Sequence, residues 1–307
     1  MKGKPALAIN HRTGDHGAMT RTLFCFGYGY TAQALARRLL PHGWQVFGTT
    51  RRPENIDQLG ATGATALLWP SGDITTALHT ASHLLISASP DAQGDPVLQA
   101  LGDEITQIAP NLTWAGYLST TGVYGDTGGD WVSEDTPINP STQRGQRRKT
   151  AEQAWRAIPN LPLHIFRLAG IYGPGRGPFA KLRAGTARRI IKPGQMFSRI
   201  HVDDIAQVLA ASMDRPNPVT IYNVCDDMPA PPQDVISYAA SLLGMPPPPE
   251  VPFEQAEMSP MARSFYAESK RIKNDRIKSE LGVKLLYKDY KSVLTAMLES
   301  ERADQTD

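Results

Sequence analysis

Phe24-Cys25-Phe26-Gly27-Tyr28-Gly29-Tyr30-Thr31-Ala32 is the stretch on which the fold turns. An apolar run from Thr22 to Phe26 leads straight into Gly27-Tyr28-Gly29, and the residues from Thr31 to Leu40 then read as helix-forming. The order predicts strand, tight turn, helix. In such a turn the first glycine permits the reversal and the second lets the backbone approach a pyrophosphate. A small residue, here Ala32, lets the helix pack on the strand. Free N–H groups and the dipole at the helix start favour an anion there. Gly27, Tyr28, Gly29, Tyr30 and Thr31 are therefore candidate binding residues for a dinucleotide. A GxGxxA string alone is weak, and its strand–turn–helix setting is what carries the reading.

The next predicted strand, Gln45 to Thr50, runs into Arg51-Arg52 with no Asp or Glu at its end. A carboxylate at this place would bind the ribose 2′-hydroxyl of NAD and repel a 2′-phosphate, whereas arginine and threonine can hold that phosphate by charge-assisted bonds. Thr50, Arg51 and Arg52 thus favour NADP over NAD. The alternative is that the two arginines belong to a solvated loop.

With 307 residues, 41% hydrophobic and 20% charged, the chain can bury a large core plus a smaller lobe. A net charge of +2 gives no reason to expect a nucleic-acid partner. The two cysteines, Cys25 and Cys225, fall in predicted strands and read as small buried hydrophobes, without the neighbours a metal site needs. No apolar run approaches the roughly 18–20 residues that cross a bilayer, so a cytoplasmic protein with no membrane partner is expected. Residues 1–18 resemble neither a signal peptide nor a core element. They are expected to be a disordered tail, or to lie upstream of a true start at Met19.

Strand-like runs recur at His83 to Ala88, Trp114 to Ser119 and Leu163 to Leu168, each preceded by a helix-compatible stretch. That alternation predicts an α/β fold with a doubly wound parallel sheet, whose ligands sit at the carboxyl ends of the strands. Attention falls on Ser87-Ala88-Ser89, Ser119-Thr120-Thr121 and Ala169 to Tyr172, with Ser87 and Ala88 joining the cofactor set. After Tyr172 the texture changes to glycine and proline loops and stiff connectors such as Met245-Pro-Pro-Pro-Pro-Glu250. The expected division is a nucleotide-binding domain of residues 19–170 with 200–226, a smaller C-terminal substrate lobe of 171–199 with 227–300, and a tail at 301–307.

The Gly27 turn, Ser119-Thr-Thr-Gly-Val-Tyr-Gly-Asp126, Arg167-Leu-Ala-Gly-Ile-Tyr-Gly-Pro-Gly175, Arg199-Ile-His-Val-Asp-Asp-Ile205 and Ile221-Tyr-Asn-Val224 stand in one order along the chain. Together they resemble the extended short-chain dehydrogenase/reductase family, also called the NAD-dependent epimerase/dehydratase family. The details look most like its atypical YeeZ-like branch. The resemblance implies a Rossmann-type fold, an NAD(P) cofactor and a small-molecule substrate; whether a helix pair makes a homodimer, as in many relatives, stays open.

In that family a serine or threonine orients a substrate oxygen, a tyrosine exchanges its proton, and a lysine one helical turn on lowers the tyrosine pKa and holds the nicotinamide ribose. Thr120 matches. Counting back from Glu152, which matches a family glutamate on the same helix, puts Arg144 at the tyrosine place and Arg148 at the lysine place. Arginine stays protonated and has no acceptor, so Arg144 cannot be a general base. Three readings stay open. Arg144, Arg147, Arg148 and Lys149 bind an anionic substrate or cofactor phosphates, with Arg148 reaching the ribose edge; or Tyr124 or Tyr172 supplies the missing proton; or the site keeps NADP and has lost catalysis.

Substrate-side candidates are Tyr172, Arg199, Arg183 from the basic segment Lys181 to Lys192, and Arg263, by analogy with a phosphate-binding family arginine. The basic segment reads by default as a solvated helix face. Tyr266-Ala-Glu-Ser-Lys270 and Tyr287-Lys-Asp-Tyr-Lys291 repeat the YxxxK spelling far from Thr120. The second reads as surface and the first as no more than a substrate-lobe contact. His201, Asp203 and Asp204 are expected to cap a helix and tie the lobes together. The functional expectation is an atypical oxidoreductase or epimerase/dehydratase-like enzyme acting on a hydroxyl or carbonyl of a polar, anionic small molecule. The alternative is a non-catalytic NADP(H)-binding sensor.

Overall fold

The computed structural model describes residues 21–71 and 73–303. The expectations for residues 1–18, for a start at Met19 and for residues 304–307 of the 301–307 tail lie outside the described residues, while residues 301–303 of that tail are helical.

The first half of the chain alternates β1 (Thr22–Phe26), α1 (Tyr30–Leu39), β2 (Gln45–Thr50), α2 (Ile56–Gly60), β3 (Thr65–Leu68), α3 (Asp73–Leu78), β4 (His83–Ile86) and α4 (Pro96–Ile108). It continues with β5 (Trp114–Thr120), the two-residue β6 (Trp131–Val132), α5 (Gln143–Arg156) and β7 (Leu163–Leu168). The second half is more broken. It holds β8 (Gly170–Tyr172), α6 (Phe179–Arg183), β9 (Arg189–Ile191), β10 (Arg199–His201), α7 (Val202–Asp214), β11 (Ile221–Val224) and α8 (Pro232–Leu242). The chain then forms β12 (Glu250–Pro252), α9 (Pro260–Phe265), β13 (Arg271–Ile272), α10 (Asp275–Ser279) and α11 (Tyr290–Ala303).

Seven strands form one parallel sheet in the order β11-β7-β5-β4-β1-β2-β3. From β1 the chain winds through β2 to β3, then returns beside β1 as β4 and winds the other way. The reversal leaves a crevice at the carboxyl ends of β1 and β4, where doubly wound sheets bind their ligands. The expected Rossmann-type sheet is thus present. β3 was not anticipated, because it is a four-residue edge strand whose residues are only partly buried and show no strong pattern.

Both faces of the sheet are covered, which is why all five β1 residues and all six β7 residues are buried. On one face α1 turns Ala32, Leu35, Ala36 and Leu39 into a core shared with Ile205, Val208 and Leu209 of α7. On the other, Ile105 and Ile108 of α4 and Ala151 and Trp155 of α5 pack over Phe24, Phe26 and Tyr117. A third apolar cluster lies among later elements, joining Phe179 and Leu182 of α6 to Val235 and Ala239 of α8 and Val293, Leu294 and Met297 of α11. Cys25 is buried in β1 as expected. Cys225 is also buried but stands one residue beyond β11, its thiol donating to the Ile272 carbonyl at 3.3 Å.

His201 caps α7 by accepting the Asp203 N–H at Nδ1, 3.2 Å away. Buried Asp204 accepts the Leu286 and Tyr287 N–H groups at 2.6 and 3.1 Å, tying α7 to the segment before α11. Asp203 instead faces Arg37 at 3.8 Å on the surface. No helix among the described residues is long and apolar enough to cross a membrane.

Candidate active site

Along the carboxyl edge of the sheet runs a crevice with two connected ends. The end over β1 and β2 has a volume of about 530 Å³ and is lined by Gly27, Tyr28, Gly29, Thr50, Arg51, Arg52, Ser87 and Ala88, with Gln33, Asn55 and Gln58 beside them. The end over β4, β5 and β7, of about 720 Å³, is lined by Tyr30, Thr31, Thr120, Arg144, Arg148 and Arg199. Ser87 and Ser89 border both. Every expected cofactor residue therefore falls on the crevice, divided between its two ends.

The turn that shapes the first end follows from its glycines. Gly27 adopts φ +86°, and a Cβ there would meet the Ala88 N at 3.1 Å. Its own N–H donates to Thr49 Oγ1 at 2.8 Å, which ties the turn to β2. A Cβ on Gly29, the N-cap of α1, would project into open space. The first turn of α1 carries no acidic residue, so its N–H groups face the crevice with nothing to repel an anion. These features fit a dinucleotide pyrophosphate. Tyr28 contributes backbone here, for its ring packs onto Gly48 and its hydroxyl pairs with Thr62 Oγ1 at 2.9 Å.

The second end is organised by β5 and α5. Thr120 closes β5 and accepts the Gly122 N–H at 3.2 Å. Thr142 caps α5 through the Gly145 N–H at 3.1 Å, and a Cβ on Gly145 would sit 2.7 Å from the Gly122 carbonyl oxygen. Glycine therefore lets α5 lie against the turn after β5, which brings Arg144 and Arg148 to the cleft beside Thr120. Arg148 is 8% exposed, with Nη1 donating to Tyr117 Oη at 3.1 Å and the Leu118 carbonyl at 2.7 Å. Its Nη2 donates to Ser89 Oγ at 2.8 Å. Arg144 lies over the Phe265 ring, 5.5 Å from its centroid. Among the described residues neither arginine has a carboxylate within ion-pair distance.

The tyrosines expected to stand in for the missing acid point elsewhere. Tyr124 is buried, and its hydroxyl donates to Asn223 Oδ1 at 2.7 Å while accepting from Arg167 Nη1 at 3.0 Å. Arg167 in turn holds Glu152 through both carboxylate oxygens, and Ser119 Oγ donates to that same glutamate. Tyr124 thus belongs to a core network behind the cleft wall, reached because the short turn after Thr120 directs the ring inward. Tyr172 donates to Asp226 Oδ2 at 2.7 Å and is likewise off the cleft lining. Burial, with Asp226 beside it, drives the Tyr172 phenol far above its ordinary range, the reverse of what a proton donor needs.

Two of the substrate-side arginines also lie away from the cleft. Arg183 pairs with Glu301 of α11, and Arg263 donates to the Ala256 carbonyl at 2.8 Å over the Phe253 ring. Arg199 does line the cleft, held by the Phe197 and Ala230 carbonyls at 3.1 and 3.0 Å. Tyr266, Glu268 and Lys270 all line the cleft with Arg144 and Arg199, so this segment is part of the site wall. Their YxxxK spelling was visible, but only the tertiary fold brings it to this wall.

A doubly wound sheet with a glycine turn at its switch point, and a polar second cleft over β5 and α5, defines a dinucleotide-binding protein of the short-chain dehydrogenase/reductase type. The chain is 30% identical over 276 residues to protein YeeZ of Escherichia coli K12, covering 86% of this chain and 95% of that one. It belongs to the YeeZ-like branch of the extended short-chain dehydrogenase/reductase, or NAD-dependent epimerase/dehydratase, family, whose members are NAD(P)-binding oxidoreductases and their relatives. No family model matches it. Among solved structures, a functionally unknown conserved protein from Silicibacter pomeroyi DSS superposes with a TM-score of 0.89 at 60% identity, covering 92% of this chain and 99% of that one. Human epimerase family protein SDR39U1 (isoform 2), solved with NADPH, shares the fold at a TM-score of 0.70 and 16% identity, covering 91% and 99% of the two chains.

Proposed function

We propose that this protein binds NADP(H) and acts as an atypical oxidoreductase of the epimerase/dehydratase type on a hydroxyl or carbonyl of a polar, anionic small molecule. The carrying observation is the lining of the crevice over β1 and β2, which among the described residues contains Arg51 and Arg52 and no Asp or Glu. With no carboxylate to repel a 2′-phosphate, and with two guanidiniums and the Thr50 hydroxyl to hold it, NADP(H) is favoured over NAD(H).

An anionic substrate is supported by the charge of the other end. Among the described residues Arg144, Arg148, Arg176, Arg199 and Lys270 line it against a single carboxylate, Glu268. Glu268 is already engaged by Lys270 at 2.6 Å and by Ser141 at 2.7 Å. Thr120 is the hydroxyl positioned to orient a substrate oxygen, and Arg148 the cation nearest the ends of β4 and β5 for an anion or a ribose edge. Bound NADPH would supply hydride; the chain supplies binding, orientation and a proton.

Thermal melting with NADPH and NADH, in the wild type and in Arg51→Asp, tests this reading. Saturation at about 100 times the dissociation constant contributes roughly 2.7 kcal/mol. Stabilisation by NADPH that the Arg51 change removes is expected; no stabilisation by either nucleotide would overturn it. The arginines at the family's tyrosine and lysine places favour a second reading, a non-catalytic NADP(H)-responsive protein. Hydride turnover separates the two.

A further inference from the structure

Four tyrosines compete for the role of proton donor near this cleft, and three have already committed their hydroxyls. Tyr124 donates to Asn223, Tyr172 to Asp226, and Tyr30 to the Pro174 carbonyl at 2.9 Å. Tyr266 differs from them. It lines the cleft with Thr120, Arg144 and Arg148, and its hydroxyl has no hydrogen-bond partner among the described residues. That oxygen is not among the fully buried atoms left unpaired. A phenol in this position is open to a ligand, whereas one closed off in the core would carry a desolvation cost for nothing.

The ring itself is held in place. It packs against Phe197 and Phe253, each with its centroid 5.5 Å away, and it is 8% exposed. The Tyr266 N–H donates to the Arg263 carbonyl at 3.1 Å, and the Lys192 ammonium donates to the Tyr266 carbonyl. Burial raises the Tyr266 phenol, and the Arg199 charge on the same wall works against that rise. Lys270 does not repeat the family's lysine. Residues 266–270 are not helical, and its ammonium is taken up by Glu268.

We propose that Tyr266, brought to the cleft by the segment after α9, is the proton-exchanging residue of this site and performs what Arg144 cannot. The assignment rests on the NADP(H)-dependent reading above. In the reducing direction a substrate carbonyl carbon gains a hydride from NADPH, and the electron pair of its C=O bond moves to oxygen. Tyr266 breaks its O–H bond and gives the proton to that oxygen, and the resulting phenolate recovers a proton from water. A positioned acid of this kind contributes about 10²- to 10⁴-fold in rate.

The test is an ultraviolet phenolate titration of the full chain, free and saturated with NADP⁺, in the wild type, Tyr266→Phe and Tyr238→Phe, the last a control away from the cleft whose hydroxyl pairs with Thr295 Oγ1 at 3.2 Å. The cationic nicotinamide should lower the pKa of one phenol by about one pH unit or more. That shift should vanish in Tyr266→Phe and persist in Tyr238→Phe, while phenylalanine preserves the ring packing. Should Tyr266→Phe fail to fold, fluorotyrosine at position 266 read by fluorine NMR reports the same shift. If NADP⁺ stabilises the fold but no phenol shifts, or the shift survives in Tyr266→Phe, Tyr266 is not the donor and the NADP(H) reading stands. If neither nucleotide stabilises the fold, the NADP(H) reading falls and takes this assignment with it.

Discussion

Arg167 and Arg148 are buried guanidiniums on neighbouring elements, β7 and α5, and their surroundings are opposite. Arg167 is 3% exposed and grips Glu152 through Nε at 3.2 Å and Nη2 at 2.8 Å, with Tyr124 completing its shell. Arg148, 8% exposed, meets only neutral acceptors among the described residues: a phenol, a backbone carbonyl and a serine. The fold neutralises the first charge from within. It leaves the second facing the cleft, where an anion from outside can complete it, since planar guanidinium suits carboxylate and phosphate. A buried charge without a counter-charge is costly, and a binding site is where such a cost returns something.

The largest effect should come from breaking the internal pair. Glu152→Ala leaves Arg167 buried without its partner, and a loss of about 3–5 kcal/mol in denaturant unfolding is expected. A loss no greater than about 1 kcal/mol, the value of an exposed pair, would mean that Arg167 finds another partner and that the contrast with Arg148 is false.

Arg148→Met should do the reverse. Relief of the unpaired charge offsets the three lost hydrogen bonds, so ligand-free stability should move by only about 1 kcal/mol. Stabilisation by inorganic phosphate, worth roughly 2.7 kcal/mol at about 100 times its dissociation constant, should lose the part that Arg51→Asp retains. Melting curves at fixed ionic strength measure both. A variant that is severely destabilised, yet still responds fully to phosphate, would make Arg148 a structural residue like Arg167.

The same contrast shows what could be read from the sequence. The glycine turn, its strand and its helix are local, so Gly27 to Ala32 announced the crevice and the turn that shapes its first end. Thr120, Arg144 and Arg148 could be placed because each stands at a fixed distance from a recognisable string on one strand or one helix. What escaped depends on direction or on long-range assembly. Tyr124 follows a strand end at the cleft, but the 3₁₀ turn over Thr121–Tyr124 aims it into the core. Arg183 sits on a helix whose basic face meets Glu301 from the far end of the chain. Tyr266 reaches the cleft only because its segment folds back over Phe197 and Phe253. Nothing in the local pattern around any of these residues encodes that outcome.

Arg199 is the intermediate case, and it gives the smallest effect over a single pH unit. It lines the cleft as Arg148 does, yet Asp226 lies close enough to attract it without forming an ion pair. Burial pushes the Asp226 carboxyl up to about 7, against the Tyr172 hydrogen bond and the Arg199 charge that favour its ionised form. A carboxyl raised in the folded state binds its proton more tightly there than in the unfolded chain. Its contribution is therefore fully present below about pH 4, near the unfolded value, and is lost as pH rises towards 7. Between pH 6 and 7 the wild type should lose at most about 1.4 kcal/mol through this group. Asp226→Asn, which keeps an acceptor for Tyr172, should show a flatter stability profile over the same interval. An unchanged slope in the variant would mean that Asp226 is ionised throughout, and Arg199 would then join Arg167 as a charge neutralised by the fold.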